Sequence, residues 1–287
     1  MGKSFRDRKD GKRLTKIHSM HFVMPLMYPN RCDNEAFLSE RIDLTNIQRY
    51  LEKKNADNPE YAYNLFQIMV TAMLKTITLR PKMNRFIANQ TMYQRNVVSA
   101  AFTVKKVFSD QSGEALAFIR SKETDNIDTI HDEIFRQVSF CRSDGVDAGT
   151  ASLNAVAAIP GFLARFVGAA ARFLDRHGWM PKSVTEGDPY YSSVVLSNLG
   201  SIGLHAGYHH LTNWGTCSVF CVIGEMKKRP FYDDDGNVEM RLSVDLGLTI
   251  DERLADGYYY SKTIRLLKKL LEQPELLEKP LSEEVDY

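Results

Sequence analysis

The stretch DLGLTIDERLADGY, residues 245–258, joins a predicted strand over 237–250 to a predicted final helix over 257–272. Asp256 stands at the start of that helix, where free backbone amides and the helix dipole favour a carboxylate. On spacing alone, the stretch therefore predicts a capped strand–turn–helix junction.

Outward from this junction, helices and strands are interspersed along the whole chain. The run Asp-Asp-Asp-Gly-Asn at 233–237 predicts a hairpin turn, because it lacks the ligand pattern of a calcium-binding loop. We expect Thr45 to begin one helix, Pro81 to end another and Gly178 to end a third. No long linker divides the chain, so we predict one mixed α/β domain. One predicted helix begins near 45, and four others cover 61–79, 126–141, 162–177 and 257–272. The predicted strands are 39–44, 83–88, 91–95, 97–107, 192–198, 216–224, 226–232 and 237–250. A loop is predicted at 143–152.

The composition is that of a globular protein. Of the 287 residues, 44% are hydrophobic and 25% are charged, and the formal net charge is +1. This balance lacks the basic excess of a dedicated nucleic-acid binder. The apolar segment 156–174 is interrupted by Pro160 and two arginines, so it predicts a buried or interfacial helix and not a membrane span. No secretory signal is recognised, and we expect a cytoplasmic protein.

The cysteines and the two ends of the sequence suggest no special chemistry. Cys217 and Cys221 are four residues apart, which in a strand would place both on one face as packed core thiols. Residues 1–16 carry a charge of +5 and residues 273–287 a charge of −4. We expect two solvent-exposed tails, with binding of the basic segment to an acidic partner as the alternative.

Two polar clusters precede the junction. The segment SNLGSIG, residues 197–203, places Ser197 and Asn198 at a strand end, where they can face a pocket. His209 and His210 are adjacent, but no third potential metal ligand is near them in sequence. Each cluster alone is also compatible with a packed polar turn.

Four segments, in order, resemble the catalytic domain of 2-oxoacid dehydrogenase acyltransferases, the dihydrolipoamide acyltransferase core. That family has a Ser-Asn-Leu-Gly-like strand end, a glycine-containing strand that runs into basic residues and proline, and Asp-His-Arg-x-x-Asp-Gly before a final helix. The segments here are RPKMNRF at 80–86, SNLG at 197–200, VIGEMKKRP at 222–230 and DERLADG at 251–257. The resemblance covers a core at 20–280, between a basic arm at 1–19 and an acidic tail at 281–287. It implies a two-layer, mixed-sheet α/β sandwich of the chloramphenicol acetyltransferase-like type.

The resemblance implies acyl transfer between a coenzyme A thioester and a small acceptor, in a channel between the subunits of a homotrimer. In the family, a histidine takes the proton of the attacking thiol or hydroxyl, and a serine from the neighbouring subunit stabilises the oxyanion. By position, Ser197 is the oxyanion donor and Asp256 orders the loop. Asn198, His209 and His210 become candidate substrate-binding residues. We expect no metal, no nucleic-acid partner and no lipoyl group on this chain.

Glu252 occupies the position of the family's histidine. The pKa mismatch with a thiol grows from ~2 units for histidine to ~4 for glutamate, which corresponds to roughly 10²-fold in rate. Burial can raise a carboxyl pKa, so Glu252 is a candidate base. Two alternatives stay open. The chain is either an inactive homologue that serves as a trimeric binding or assembly protein, or an enzyme whose base is His209 or His210.

Overall fold

A computed structural model of the protein describes residues 7–105, 114–142 and 159–287. The loop predicted at 143–152 lies outside these residues. The helices are α1 Ser19–Met27, α2 Thr45–Lys54, α3 Leu65–Leu79, α4 Ile127–Arg142, α5 Gly161–His177, α6 Lys182–Thr185 and α7 Gly257–Glu272. The strands are β1 Gly11–Arg13, β2 Glu35–Asp43, β3 Arg85–Ala88, β4 Thr91–Arg95, β5 Ser99–Lys105, β6 Glu114–Arg120, β7 Val194–Asn198, β8 Val219–Ile223, β9 Lys227–Tyr232 and β10 Val238–Asp251.

The main sheet is mixed and has the strand order β2-β10-β8-β7-β5-β6, with β9 paired to the first half of β10. Strand β7 runs parallel to both β5 and β8, and the other pairs in this sheet are antiparallel. A smaller sheet has the order β1-β4-β3. The predicted mixed α/β architecture is confirmed.

The hydrophobic core lies between one face of the main sheet and helices α2, α3, α4 and α7. Leu196, Cys221 and Leu248 reach it from three neighbouring strands, and Leu74 and Leu267 reach it from α3 and α7. This arrangement is the helix-on-sheet layering expected of the fold.

The opposite face of the sheet carries a smaller apolar cluster and is crossed by residues 204–210. A Cβ atom on Gly247 would lie 2.0 Å from the backbone oxygen of Gly207, so only glycine allows the crossing segment to lie this close to β10. Tyr208 of the same segment packs on Phe37 of β2 with ring centroids 5.1 Å apart. The crossing segment therefore covers the face of the sheet away from the helices.

The two strand cysteines are buried, but not on one face as predicted. Cys221 belongs to the main core, whereas Cys217 belongs to the cluster on the opposite face. The reason is that β8 begins only at Val219, and the N–H groups of Thr216 and Cys217 both bond to Tyr190 instead of extending the strand. The alternation of a strand therefore does not reach Cys217.

Local hydrogen bonds set the helix boundaries. Helix α3 begins at Leu65 and not at 61, because Asn64 forms a capping box with Gln67. Helix α2 begins at Thr45 as expected, but Thr45 is not the N-cap: Leu44 holds that position, and Asp43 accepts hydrogen bonds from the Thr45 amide and hydroxyl. The final helix has the predicted bounds, 257–272.

The charged ends of the sequence are exposed only in part. Arg8 is buried and donates to the backbone oxygen of Asp175, and β1 pairs with β4. Near the other end, Leu281 is buried and bonds through its amide to Asp125. The predicted boundaries of the core, 20 and 280, stay predictions.

Candidate functional site

A cleft of about 1230 Å³ opens at the edge of the main sheet, between α1, β2 and α7. The strand–turn–helix junction forms one wall, through Ile250, Glu252, Ala255 and Asp256. Strand β2 contributes Ala36, Leu38 and Glu40; the remaining lining residues are Lys16, Ile17, His18, Met20, His21, Met24, Lys82, Arg85, Gly257, Tyr260, Ser261, Ile264, Arg265 and Lys268.

A buried ion pair fixes the shape of the junction. Asp251 and Arg253 are 0% and 1% exposed, and the guanidinium donates to both carboxylate oxygens at 2.7 and 2.6 Å. Arg253 also donates to the carbonyl of Tyr28, and the hydroxyl of Tyr260 donates to the carbonyl of Asp251. Because these two side chains point inward, Glu252 between them is left exposed and faces the cleft.

Asp256 is the N-cap of α7. Its carboxylate accepts a hydrogen bond of 2.8 Å from the backbone N–H of Tyr259, which holds the pKa of that carboxyl below its ordinary value. The carboxylate is exposed and lines the cleft. The role of Asp256 in ordering the loop stays a prediction.

Ser197 and Asn198 lie at the end of β7, apart from the cleft. Ser197 is in register with Val222 of β8, which is in register with Gly247 of β10. Glu252 lies five residues beyond Gly247, which corresponds to about 16 Å in an extended strand. Asn198 caps the following turn by accepting from the amide of Ser201. One chain therefore does not bring Ser197 and Glu252 together.

His209 and His210 also lie outside the cleft. The ring of His209 stacks on Phe220 with centroids 4.2 Å apart, and its Nδ1 is 2.9 Å from the backbone oxygen of His210. Phe220 is in register with Val195, which shares a strand face with Ser197. His209 therefore lies over β8, between the strand of Ser197 and β10, and the amide of Leu211, directly after His210, donates to Glu35.

His21 of α1 also lines the cleft, although no motif in the sequence points to it. Its Nδ1 is 3.0 Å from the backbone oxygen of Arg253, directly after Glu252 in the chain. A single histidine in an apolar segment such as SMHFVMPLM is a weak signal, since no spacing connects it to residue 252.

The cleft has more basic than acidic side chains. Its acidic residues are Glu40, Glu252 and Asp256, and Glu40 is paired with Lys268 at 3.0 Å. The basic residues, histidines apart, are Lys16, Lys82, Arg85, Arg265 and Lys268. This excess of positive charge suits an anionic ligand.

Within the described ranges, no three or more His, Cys, Asp or Glu side chains group in a way that could hold a metal ion. In the same ranges, none of the helices has the length and apolar character needed to cross a bilayer.

Comparison with known proteins agrees with this geometry. Residues 181–278 match the family of 2-oxoacid dehydrogenases acyltransferase (catalytic domain), and they include Ser197 and the whole junction. No curated protein gave a match.

Solved structures share the fold at low sequence identity. A probable dihydrolipoamide acetyltransferase from Listeria monocytogenes superposes with a TM-score of 0.59 at 16% identity, over 92% of this chain and 95% of that one. The cubic core of the pyruvate dehydrogenase multienzyme complex superposes with a TM-score of 0.59 at 15% identity, over 92% of this chain and 94% of that one. A chloramphenicol acetyltransferase superposes with a TM-score of 0.57 at 12% identity, over 91% of this chain and 99% of that one. The resemblance to the acyltransferase catalytic domain is thus confirmed in sequence over residues 181–278, and the chain has the chloramphenicol acetyltransferase-like fold.

Proposed function

We propose that this protein is a coenzyme A-dependent acyltransferase that moves an acyl group between a thioester and a small acceptor. The observation that carries the proposal is the position of the junction 251–257. It lies inside the segment that matches the acyltransferase family, and it opens onto a cleft with an excess of positive charge. Coenzyme A is a polyanion, which fits that charge.

In the proposed reaction, the sulfur or oxygen of the acceptor attacks the thioester carbonyl carbon. A new bond forms between acceptor and acyl carbon, the bond from that carbon to the coenzyme A sulfur breaks, and the acceptor's proton ends on the released thiol. Glu252 stands where the family has its histidine, and we assign it a part in this proton transfer. Ser197 donates a hydrogen bond to the tetrahedral oxyanion.

The proposal requires a second copy of the chain. Since Ser197 and Glu252 are separated by about 16 Å along the sheet of one chain, the serine must come from a neighbour. The similar cubic core is a multi-subunit assembly by its description, which supports assembly here. We propose a homotrimer, as the family resemblance implies.

The surface of the single chain supports self-association. Helix α5 was predicted to be buried or interfacial, and in one chain Asp175 is its only buried residue. Phe162, Phe166 and Phe173 are 79%, 73% and 53% exposed and share one side of α5. Apolar surface of this kind is typical of a protein interface.

The test is coenzyme A release, separated by chromatography, from acetyl-coenzyme A with a panel of thiol, hydroxyl and amine acceptors. We expect turnover with at least one acceptor. Glu252→Gln, which keeps the shape and removes the charge, should lower that turnover by about tenfold or more. Glu284→Gln is the matched control, because Glu284 is exposed and does not line the cleft. This variant should leave turnover unchanged.

Absence of coenzyme A release with every acceptor would contradict the proposal. Full turnover in Glu252→Gln would contradict the part given to Glu252 and leave the acyl transfer itself in place.

The second candidate function is a non-catalytic binding or assembly protein of the same fold. It is favoured by the buried Asp251–Arg253 pair, which shapes the junction without any contribution from the Glu252 side chain. This candidate predicts no turnover in the wild type and a gain of turnover in Glu252→His. A cytoplasmic location and the lack of a lipoyl group stay predictions from the sequence.

A further inference from the structure

His21 has the geometry of a proton acceptor inside the cleft. Its Nδ1 lies 3.0 Å from the carbonyl oxygen of Arg253. A carbonyl oxygen can only accept a hydrogen bond, so Nδ1 must carry a proton in this contact. In the neutral ring, Nε2 then holds a free electron pair. The bond to the junction thus fixes the tautomer in which Nε2 is the basic atom.

The surroundings of His21 keep the ring neutral. Burial lowers its pKa below the ordinary value, and the positive charges of Lys82 and Arg85 act in the same direction. The hydrogen bond to Arg253 and the negative charge of Asp256 act in the opposite direction and are outweighed. Lys16, His18 and Glu252 are the other charged or titratable groups of the nearby cleft wall. Because the pKa of His21 is lowered, its ring is unprotonated near neutral pH and able to accept a proton.

We propose that His21 is a catalytic residue of this cleft and accepts the proton of the attacking thiol or hydroxyl at Nε2. The inference rests on the acyl transfer proposed above, and it assigns the base that the reaction needs. The proton moves from the acceptor to Nε2 as the acceptor bonds to the acyl carbon. It is returned to the coenzyme A sulfur when the carbon–sulfur bond breaks.

The neighbouring carboxylates suit this role. The imidazolium that forms during the reaction carries a positive charge, and Asp256 already interacts with His21 electrostatically. Glu252 lines the same cleft one residue before the carbonyl that holds the ring. At ordinary pKa values, histidine is closer to a thiol than glutamate is by ~2 units. The lowered pKa of His21 reduces this advantage but leaves the ring neutral and able to accept the proton.

The test uses His21→Asn in the full-length protein. The asparagine amide can still donate to the carbonyl of Arg253, so the contact with the junction is kept while the base is removed. We expect kcat/KM for acyl transfer to fall about 10²-fold. We also expect the loss of activity on acidification, which reports protonation of the imidazole, to disappear from the pH profile.

His131→Gln is the control. This histidine places Nε2 2.8 Å from the backbone oxygen of Tyr61, and it lies on α4 outside the cleft. It should leave the rate and the pH profile unchanged. Thermal unfolding of both variants reports whether either substitution acts through stability.

Proton–nitrogen correlation NMR on the wild type reads the tautomer directly. It should show His21 neutral near pH 7 with the proton on Nδ1, and a proton on Nε2 would overturn the inference. Unchanged turnover and pH profile in His21→Asn would overturn the inference alone, since the acyl transfer would stand. No turnover in the wild type would overturn both.

Discussion

At the scale of single residues, the junction depends on a charge pair that is sealed from water. Asp251 and Arg253 bond through two parallel contacts, and Arg31 approaches the same carboxylate at 3.9 Å. Burial outweighs the attraction of Asp251 and lowers the pKa of Arg31. The negative charge of Asp251 therefore compensates the positive charges of two buried guanidinium groups, those of Arg31 and Arg253.

Arg253→Met is expected to destabilise the protein by about 3–5 kcal/mol, because it leaves Asp251 as a buried charge without its close partner. The measurement is the free energy of unfolding in urea. Arg241→Met is the control, since Arg241 pairs with Asp43 and Glu239 on the surface and its replacement should lower the free energy of unfolding far less than Arg253→Met does. Equal losses in the two variants would show that the buried pair has no special weight.

The sequence reveals these residues unevenly. The exchange at Glu252 is a prediction from the sequence resemblance, which rests on the spacing of Asp251, Arg253 and Asp256 around it. His21 is not, because its contact with Arg253 joins residues more than 200 positions apart. Local spacing carries no information about such a contact.

At the scale of elements, the sheet and the segment that crosses it are fitted to each other at glycines. Besides Gly247 under Gly207, a Cβ atom on Gly224 would lie 2.4 Å from the amide nitrogen of Ala206. The crossing segment is held at two neighbouring strands, and it carries His209 to its place on Phe220.

Gly247→Ala is expected to cost about 1–3 kcal/mol in the free energy of unfolding, because the added methyl group pushes the crossing segment away from β10. Gly257→Ala is the matched control. Gly257 begins α7, and a Cβ atom there meets no other atom within 4 Å. Alanine there should be neutral or slightly stabilising. A Gly247→Ala variant as stable as the control would contradict the tight fit.

Elements with local signals were predicted well, and those that depend on distant pairing were not. Helix α7 has the predicted bounds because its cap and apolar spacing are contained in its own residues. Strand β1 has only three residues and forms through its pairing with β4, some eighty positions away. The first residue of β8 is likewise set from outside the strand, because Tyr190 binds the amides of Thr216 and Cys217. The prediction for Cys217 was wrong for this reason.

At the scale of the whole molecule, the proposed active site requires residues from two chains. The cleft with His21 and Glu252 belongs to one copy, and Ser197 belongs to the next. Ser197→Ala alone should lower turnover by about 10²-fold or more, the usual effect of removing an oxyanion donor.

Complementation tests this division of the site. One variant carries Ser197→Ala, and a second carries both His21→Asn and Glu252→Gln. When the two chains are co-expressed and assemble at random, about a quarter of the sites combine an intact cleft with an intact serine. We expect about that fraction of wild-type activity from the mixed assembly, and almost none from either variant alone. No recovery would place the whole site within one chain and contradict the shared arrangement.

The pairing of β2 with β10 has a consequence for how the chain folds. Residues 35–43 find their partners at 243–251, so the two strands are separated by some two hundred residues. Such distant contacts slow folding, because a long loop must close before they form. During synthesis, β2 lacks the strand it pairs with until residues 243–251 have emerged from the ribosome. An unpaired strand of this kind favours aggregation of the nascent chain.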